Sequence, residues 1–124
     1  MVTRKFLVID DDALVRDSIS MMLQSIDSKV DLAQDGIQGL KMFKNNNYDI
    51  IITDIIMPEK EGFETITDIK KIDERAKIIA ISGGSREGMG AYLPIAEDLG
   101  AKAILYKPFN EEELIYTIER ICGH

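Results

Sequence analysis

Three adjacent aspartates, Asp10, Asp11 and Asp12, follow directly after the apolar run FLVI in the segment FLVIDDDALVR, residues 6 to 16. Two like charges about 4 Å apart repel by roughly 4 kcal/mol at an effective dielectric constant near 20. A cation placed between such carboxylates relieves this repulsion, and hard oxygen ligands favour Mg²⁺ or Mn²⁺. The segment therefore predicts a divalent-metal site at the end of a buried strand. Only two of the three acids are needed for a metal, so Asp12 is predicted to cap or begin the first helix.

Other polar side chains close other apolar runs along the chain. Asp54 ends IIITD, Ser82 and Gly83 end IIAISG, and Lys107 ends AILYK. In an open parallel sheet, ligands bind beyond the carboxyl ends of the strands. We therefore expect these residues to meet the first two aspartates at one edge of one sheet.

Together these residue types are suited to phosphoryl transfer. The carboxylate of Asp54 is a competent nucleophile toward phosphorus and would form an acyl phosphate. The transferred oxygens need neutralising by a metal and by a second cation, which Lys107 can supply. The hydroxyl of Ser82 and the backbone N–H of Gly83 can donate hydrogen bonds to the same oxygens. Mg²⁺ holds few protein carboxylates and keeps positions for water and a phosphate oxygen.

Five short apolar runs predict the strands that position these residues, at 6–9, 30–33, 50–53, 78–81 and 103–105. FLVI, IIIT and IIAI lack polar alternation, which is typical of parallel strands covered on both faces. The run KVDLA alternates instead and predicts an edge strand.

Segments with apolar residues at helical spacing separate the runs. The first two are marked by Val15 to Ile26 and by Ile37, Leu40 and Phe43, the third by Phe63, Ile66 and Ile69, and the fourth by Tyr92 to Leu99. Gly100 predicts the end of the fourth helix. Asn110 and Glu113 form a capping box that predicts the start of the fifth, with Phe109 and Leu114 as a hydrophobic staple. Alternating strands and helices indicate a single α/β domain, residues 1–124, with a parallel sheet.

Composition narrows the function classes. The chain has 22 acidic and 15 basic residues, which give it a net charge of −7. This negative charge disfavours direct binding to nucleic acid. Cys122 is the only cysteine, so no internal disulfide forms, and its isoleucine neighbours predict a helix-packing role. No apolar run approaches the roughly 20 residues that span a bilayer, and MVTRKF is no signal-peptide core. We expect a cytoplasmic protein without membrane insertion.

The segments LVIDDD, IIITDIIMPEKEG, IAISGG and LYKPF resemble, in this order, the receiver domain of bacterial two-component response regulators, including chemotaxis regulators. The resemblance covers essentially the whole chain. It implies a flavodoxin-like doubly wound sheet of five parallel strands in the order 2-1-3-4-5 with five helices.

The resemblance also implies a set of metal ligands. Asp10 and Asp11 resemble the acidic pair, with Asp11 as a direct Mg²⁺ ligand and Asp10 acting through water. Asp54 resembles the phosphorylated aspartate. Ile56 matches the position that contributes its backbone carbonyl to the metal, and its side chain offers no polar group to direct water.

A phosphorylation switch is the function that the resemblance implies. A sensor histidine kinase or phosphotransfer protein would phosphorylate Asp54, and the Ser82 hydroxyl would move toward the phosphoryl group. The face formed by the fourth helix, fifth strand and fifth helix would then change and regulate a downstream protein or effector domain. Lys107 matches the lysine of the KPF motif, with a cis bond to Pro108. The chain would be a regulator whose only chemistry is its own phosphorylation and dephosphorylation.

The fifth strand departs from the usual receiver pattern. Ile104 stands where many receivers carry an aromatic residue, and we interpret Tyr106, on the same strand face, as a core residue. An aspartate-nucleophile phosphatase is one alternative function, but such enzymes usually have a second acid at the position of Ile56. A flavodoxin-type cofactor domain is another, but it needs a phosphate loop after the first strand, where this sequence has carboxylates. A receiver-like scaffold that is never phosphorylated is the remaining alternative. Homodimerisation through the last two helices, and whether the chain acts alone or within a larger protein, are not fixed by the sequence.

Overall fold

A computed structural model describes residues 3–55, 62–82 and 93–122 of the chain. The strands are β1 Arg4–Ile9, β2 Ser28–Ala33, β3 Ile50–Asp54, β4 Ile78–Ser82 and β5 Ala103–Tyr106. The helices in the described ranges are α1 Ala13–Leu23, α2 Gly36–Asn45, α3 Gly62–Ile72, α4 Leu93–Asp98 and α5 Glu111–Cys122. Among them, no helix has the length and hydropathy needed to cross a membrane.

The five strands form one parallel sheet in the order β2-β1-β3-β4-β5. This confirms the predicted fold class and strand order. The alternating strand β2 lies at an edge, as its sequence pattern predicted. Ile9 pairs with Ala33 on one side and with Thr53 on the other, so the ends of β1 and β3 lie side by side.

The strands without polar alternation are buried on both faces, and β1 shows why. Phe6 and Val8 pack into a core cluster with α1 and α5, whereas Leu7 and Ile9 pack into a second cluster on the opposite face, with α2, α3 and α4. All four side chains are fully buried. Half-buried Cys122 packs against the α1 and α5 cluster, in the helix-packing role that the sequence predicted.

Helix ends follow the local sequence signals. Asn110 Oδ1 accepts a hydrogen bond from the Glu113 N–H at 2.8 Å, and Glu113 Oε1 accepts one from the Asn110 N–H at 3.3 Å, which confirms the capping box of α5. Gly100 adopts φ 116° after α4. The N–H of Ala101 donates to Ala96 O and that of Gly100 to Glu97 O, which are the two bonds of a Schellman motif.

One expectation about α2 is wrong in detail. The sequence places Ile37 on the apolar face of this helix, but the side chain is 60% exposed. Gly36, Gly39 and Phe43 form the buried stripe instead, at the i, i+3, i+7 spacing of one helix face. Ile37 lies about 100° from Gly36 around the helix axis and therefore faces away from the sheet.

Candidate functional site

Polar residues stand at the carboxyl ends of four parallel strands, along the edge that the sequence predicted. Asp10 follows β1, Asp54 ends β3, Ser82 ends β4 and Lys107 follows β5. Asp10, Asp54 and Ser82 are at most 4% exposed. Burying carboxylates costs free energy unless they are paired, so their presence here points to a function.

Lys107 supplies the one cation that the described residues place against these carboxylates. Its Nζ donates a hydrogen bond to Asp54 Oδ2 at 2.7 Å and lies 2.9 Å from Asp10 Oδ2. Exposed Asp11 completes the group, and carboxylate oxygens of all three aspartates lie within 4.8 Å of one another. Three carboxylates against one ammonium leave the cluster with an excess of negative charge.

Burial and pairing act in opposite directions on the protonation of this cluster. Burial raises the pKa of Asp10 above its ordinary value, although Lys107 and the Asp12 N–H oppose that shift. Burial alone would lower the pKa of Lys107, but its interactions with the Asp54 and Asp10 carboxylates outweigh burial and raise the pKa. Lys107 therefore stays an ammonium, while the charge on Asp10 remains incompletely compensated.

The donor set fits a hard divalent cation. Asp10 Oδ1 already accepts a hydrogen bond from the Asp12 N–H at 2.9 Å. Asp10 Oδ2 is buried, and among the described residues no donor is aligned on it for a hydrogen bond, although the Lys107 ammonium is near. This buried oxygen, which lacks an aligned hydrogen-bond donor, lies beside carboxylate oxygens of Asp11 and Asp54. Such a group of oxygens matches the preference of Mg²⁺ or Mn²⁺ for a few carboxylate ligands.

The remaining sequence expectations have different outcomes. Asp12 caps α1, its Oδ1 accepting from the Leu14 N–H at 2.9 Å, and is therefore occupied in a structural role. The Lys107–Pro108 peptide bond is cis, as expected. Ile56 and Gly83 lie outside the described residues.

Ile104 and Tyr106 lie on the same face of β5. Both are partly buried and pack against the core cluster that α2, α3 and α4 share with the sheet. This agrees with the interpretation of Tyr106 as a core residue.

Arg16 is a residue of the site that the sequence interpretation missed. Its Nη1 donates a hydrogen bond to the backbone carbonyl oxygen of Asp10 at 2.6 Å. The signal in the sequence is weak, since an arginine six residues after Asp10 on a helix is ordinarily a solvated surface charge. Only the folded turn between β1 and α1 brings the two groups together.

Comparison with known proteins identifies the family. The family model described as the response regulator receiver domain matches residues 6–119. The chain therefore belongs to the response regulator receiver domain family, as its motifs indicated. Receiver domains are regulatory phosphoacceptor domains, and membership of this family supports a phosphorylation-dependent switch in general.

Individual relatives agree with this membership. The chemotaxis protein CheY of Bacillus subtilis is 31% identical over 124 residues, covering 96% of this chain and 98% of that protein. The response regulator MprA of Mycobacterium sp. (strain KMS) is 32% identical over 111 residues, which are 90% of this chain but only 47% of MprA. The chain thus spans about half the length of that relative. The structure of chemotaxis protein CheY4 from Vibrio cholerae superposes with a TM-score of 0.86 at 29% identity, covering 97% of this chain and 99% of that one.

Proposed function

We propose that this chain is a single cytoplasmic receiver domain, residues 1–124, that accepts a phosphoryl group onto Asp54 from a sensor histidine kinase or phosphotransfer protein in the presence of Mg²⁺ or Mn²⁺. The observation that carries the proposal is the buried Asp54 carboxylate, held 2.7 Å from the Lys107 ammonium among the oxygens of Asp10 and Asp11. A nucleophile and a cation are thereby placed together at an edge that also offers metal ligands.

The chemistry follows from these positions. An oxygen of Asp54 attacks the phosphorus of a phosphohistidine, a P–O bond forms as the P–N bond breaks, and the leaving imidazole takes up a proton. Asp10, Asp11 and Asp54, with the backbone carbonyl of Ile56, would hold the divalent ion, which when bound neutralises phosphoryl oxygens. The Lys107 side chain keeps its ammonium beside Asp54 and pairs with another oxygen of the transferred group.

Ser82 links the site to β5, the edge strand on the side of the sheet away from β2. It pairs with Tyr106 across β4 and β5, and its carbonyl accepts a hydrogen bond from the Lys107 N–H at 2.8 Å. In our proposal its hydroxyl moves toward the phosphoryl group, while Gly83 supplies a backbone N–H. A movement of Ser82 would thus reach β5 directly and alter the face formed by α4, β5 and α5, which contacts the downstream protein, effector domain or second copy of the chain.

Asp12, which follows Asp10 and Asp11 in the sequence but caps α1, allows a controlled test. The wild-type protein with Mg²⁺ and acetyl phosphate should gain the mass of one phosphoryl group, and with beryllofluoride it should shift amide NMR resonances along β4 and β5. Asp54→Asn should abolish both responses. Asp12→Asn removes the same charge but retains a capping side chain, so both responses should persist.

The same experiment separates the competing functions. A mass gain that survives Asp54→Asn would overturn the assignment of the phosphoacceptor. A folded wild-type protein that responds neither to Mg²⁺ nor to beryllofluoride would indicate a receiver-like scaffold. Steady hydrolysis of added phosphate monoesters, lost in Asp54→Asn, would indicate an aspartate-nucleophile phosphatase.

A further inference from the structure

Arg16 is a half-buried residue in the first turns of α1, and its guanidinium is directed at the main chain. The Nη1–H donates to the carbonyl oxygen of Asp10 at 2.6 Å, a short distance typical of a charge-assisted bond. Among the described residues, no carboxylate pairs with Arg16. Beside an acid-rich cluster, this arginine therefore binds a backbone carbonyl rather than a side-chain acid.

Several other polar groups of the turn from Asp10 to Asp12 are also hydrogen-bonded. The Asp10 N–H donates to Ala33 O at 3.1 Å, which extends the pairing of β1 with β2. Asp10 Oδ1 accepts from the Asp12 N–H, and Asp12 Oδ1 accepts from the Leu14 N–H, both at 2.9 Å. With the carbonyl of Asp10 bonded to Arg16 and Oδ1 bonded to the Asp12 N–H, Oδ2 is the oxygen of Asp10 that lacks an aligned donor among the described residues. The turn therefore leaves this buried oxygen available to the site.

We propose that Arg16 is a positioning residue for the divalent-ion site, because its bond to the Asp10 carbonyl fixes the turn that directs Asp10 Oδ2 and the Asp11 side chain toward Asp54. This inference rests on the proposed function, since it assumes that Asp10, Asp11 and Asp54 hold Mg²⁺. In this role Arg16 would not itself be a ligand of the ion or of the phosphoryl group. It acts through the backbone of a ligand, from the first helix rather than from a strand end.

The sign of the effect distinguishes positioning from simple electrostatics. The guanidinium is a positive charge near a cation site, so through charge alone its removal would tighten Mg²⁺ binding. Loss of the bond to the Asp10 carbonyl frees the turn, and the carboxylates must then be ordered when the ion binds. Partners behind a ligand typically contribute about 10- to 100-fold to metal affinity. Positioning therefore predicts weaker binding where charge alone predicts stronger binding.

The test compares Arg16→Met, which removes donor and charge, with Arg16→Lys, which retains a charge but lacks the planar fork. Arg120→Met is the matched control, since it removes an arginine from an exposed site on α5. Mg²⁺ dissociation constants come from titrations followed by amide NMR. The hydrogen-exchange rate of the Asp12 N–H, measured in metal-free buffer, shows how well the turn is ordered. Far-UV circular dichroism shows whether each variant is folded.

Arg16→Met should bind Mg²⁺ about tenfold more weakly, the lower end of the range for such partners. Its Asp12 N–H should exchange faster than in the wild type, Arg16→Lys should lie between the two, and Arg120→Met should match the wild type. Equal or tighter binding by folded Arg16→Met overturns the inference while leaving the proposed function intact. If Arg16→Met does not fold, the same comparison made with Arg16→Lys decides. A folded wild-type protein that does not respond to Mg²⁺ overturns the proposed function first, and the inference with it.

Discussion

Asp10 is the residue at which burial and function conflict most directly. Its side chain is fully buried, and it shares the ammonium of Lys107 with Asp54. Removing the charge of Asp10 leaves Lys107 and Asp54 as a matched pair with a hydrogen bond of 2.7 Å. In the absence of a divalent ion, the second buried carboxylate therefore destabilises the folded state. A functional requirement explains why it is present.

Asp10→Asn should raise the free energy of unfolding in metal-free buffer at neutral pH, on the order of 1 kcal/mol. Because burial raises the folded pKa of Asp10 above 3.8, the folded wild-type protein holds this proton more tightly than the unfolded chain does. The stability contributed by the protonated carboxyl is present below 3.8 and is lost as the pH rises through the raised folded pKa. The advantage of Asp10→Asn should therefore grow with pH across this window and then level off.

Urea unfolding in EDTA at a series of pH values measures this difference. Asp11→Asn is the control, because Asp11 belongs to the same cluster but is exposed, and its substitution should change stability by less than about 0.5 kcal/mol. An Asp10→Asn protein that is less stable than the wild type at neutral pH would contradict the interpretation of Asp10 as a charge retained for function.

Single residues were predictable where a local motif defines them. Asp12 as a cap of α1 and the reciprocal bonds of Asn110 and Glu113 follow from neighbours within three residues. The strand ends predicted that Lys107 lies at the same sheet edge as the carboxylates. Its distances to Asp10 and Asp54, and the bond from Arg16 to the Asp10 carbonyl, depend on how β1, β3, β5 and α1 pack together. No residue near either side chain in sequence carries that information.

At the scale of secondary-structure elements, α2 approaches β1 so closely that a glycine is required at the contact. A Cβ built on Gly39 would lie 2.7 Å from Ile9 Cγ1 and would also meet Ile9 Cδ1. Ile9 is fully buried between β2 and β3 and immediately precedes Asp10. The Ile9 side chain therefore has little room to move, and its displacement would disturb the start of the turn that carries Asp10 and Asp11.

Gly39→Ala should destabilise the fold even though alanine is the better helix former. Alanine gains up to about 1 kcal/mol of helix propensity, whereas overpacking a buried contact costs about 1–3 kcal/mol. Adding Ile9→Val, which removes the Cδ1 methyl group, should recover part of the loss, so that the double variant is more stable than the sum of the single effects. Urea unfolding of the four proteins measures the coupling. Strictly additive effects would show that the two groups do not meet.

The capping box of α5 allows a second prediction at this scale. Asn110→Ala removes the acceptor for the Glu113 N–H and should cost about 1 kcal/mol. Glu112→Gln alters a charge in the same turn without touching the box and should cost a few tenths of a kcal/mol. Denaturant unfolding of both variants provides the measurement, and equal losses would show that helix-end charge, rather than the cap, fixes the start of α5.

The order and type of the described elements were readable from the sequence because apolar runs and helical spacing are strong patterns. The boundaries of the strands were harder to predict from the sequence. Arg4 and Lys5 extend β1 through pairing with Ser28 and Lys29, although none of these residues is apolar. Ile37 shows the complementary failure, since its apolar side chain fits a helical pattern but α2 turns it toward solvent.

At the scale of the whole molecule, the fold separates stability from function. Both faces of the sheet are packed with apolar side chains, whereas the carboxyl edge gathers a third-strand acid, two acids after the first strand and one lysine. The chain as a whole carries a net charge of −7. A divalent cation could therefore stabilise the protein in two ways, by binding at this edge or by screening the general excess of negative charge.

Specific binding should stabilise the folded protein logarithmically with free Mg²⁺, adding about 1.4 kcal/mol for each tenfold increase above the dissociation constant. Screening instead depends on ionic strength and would be reproduced by NaCl. Thermal or urea unfolding in EDTA, in MgCl₂ and in NaCl of matched ionic strength distinguishes the two. We expect MgCl₂ to stabilise the wild type well beyond NaCl, and Asp54→Asn to lose most of that difference because one ligand has lost its charge. Equal stabilisation by both salts would show that magnesium only screens the overall charge, and that the carboxylates at the strand ends do not bind it specifically.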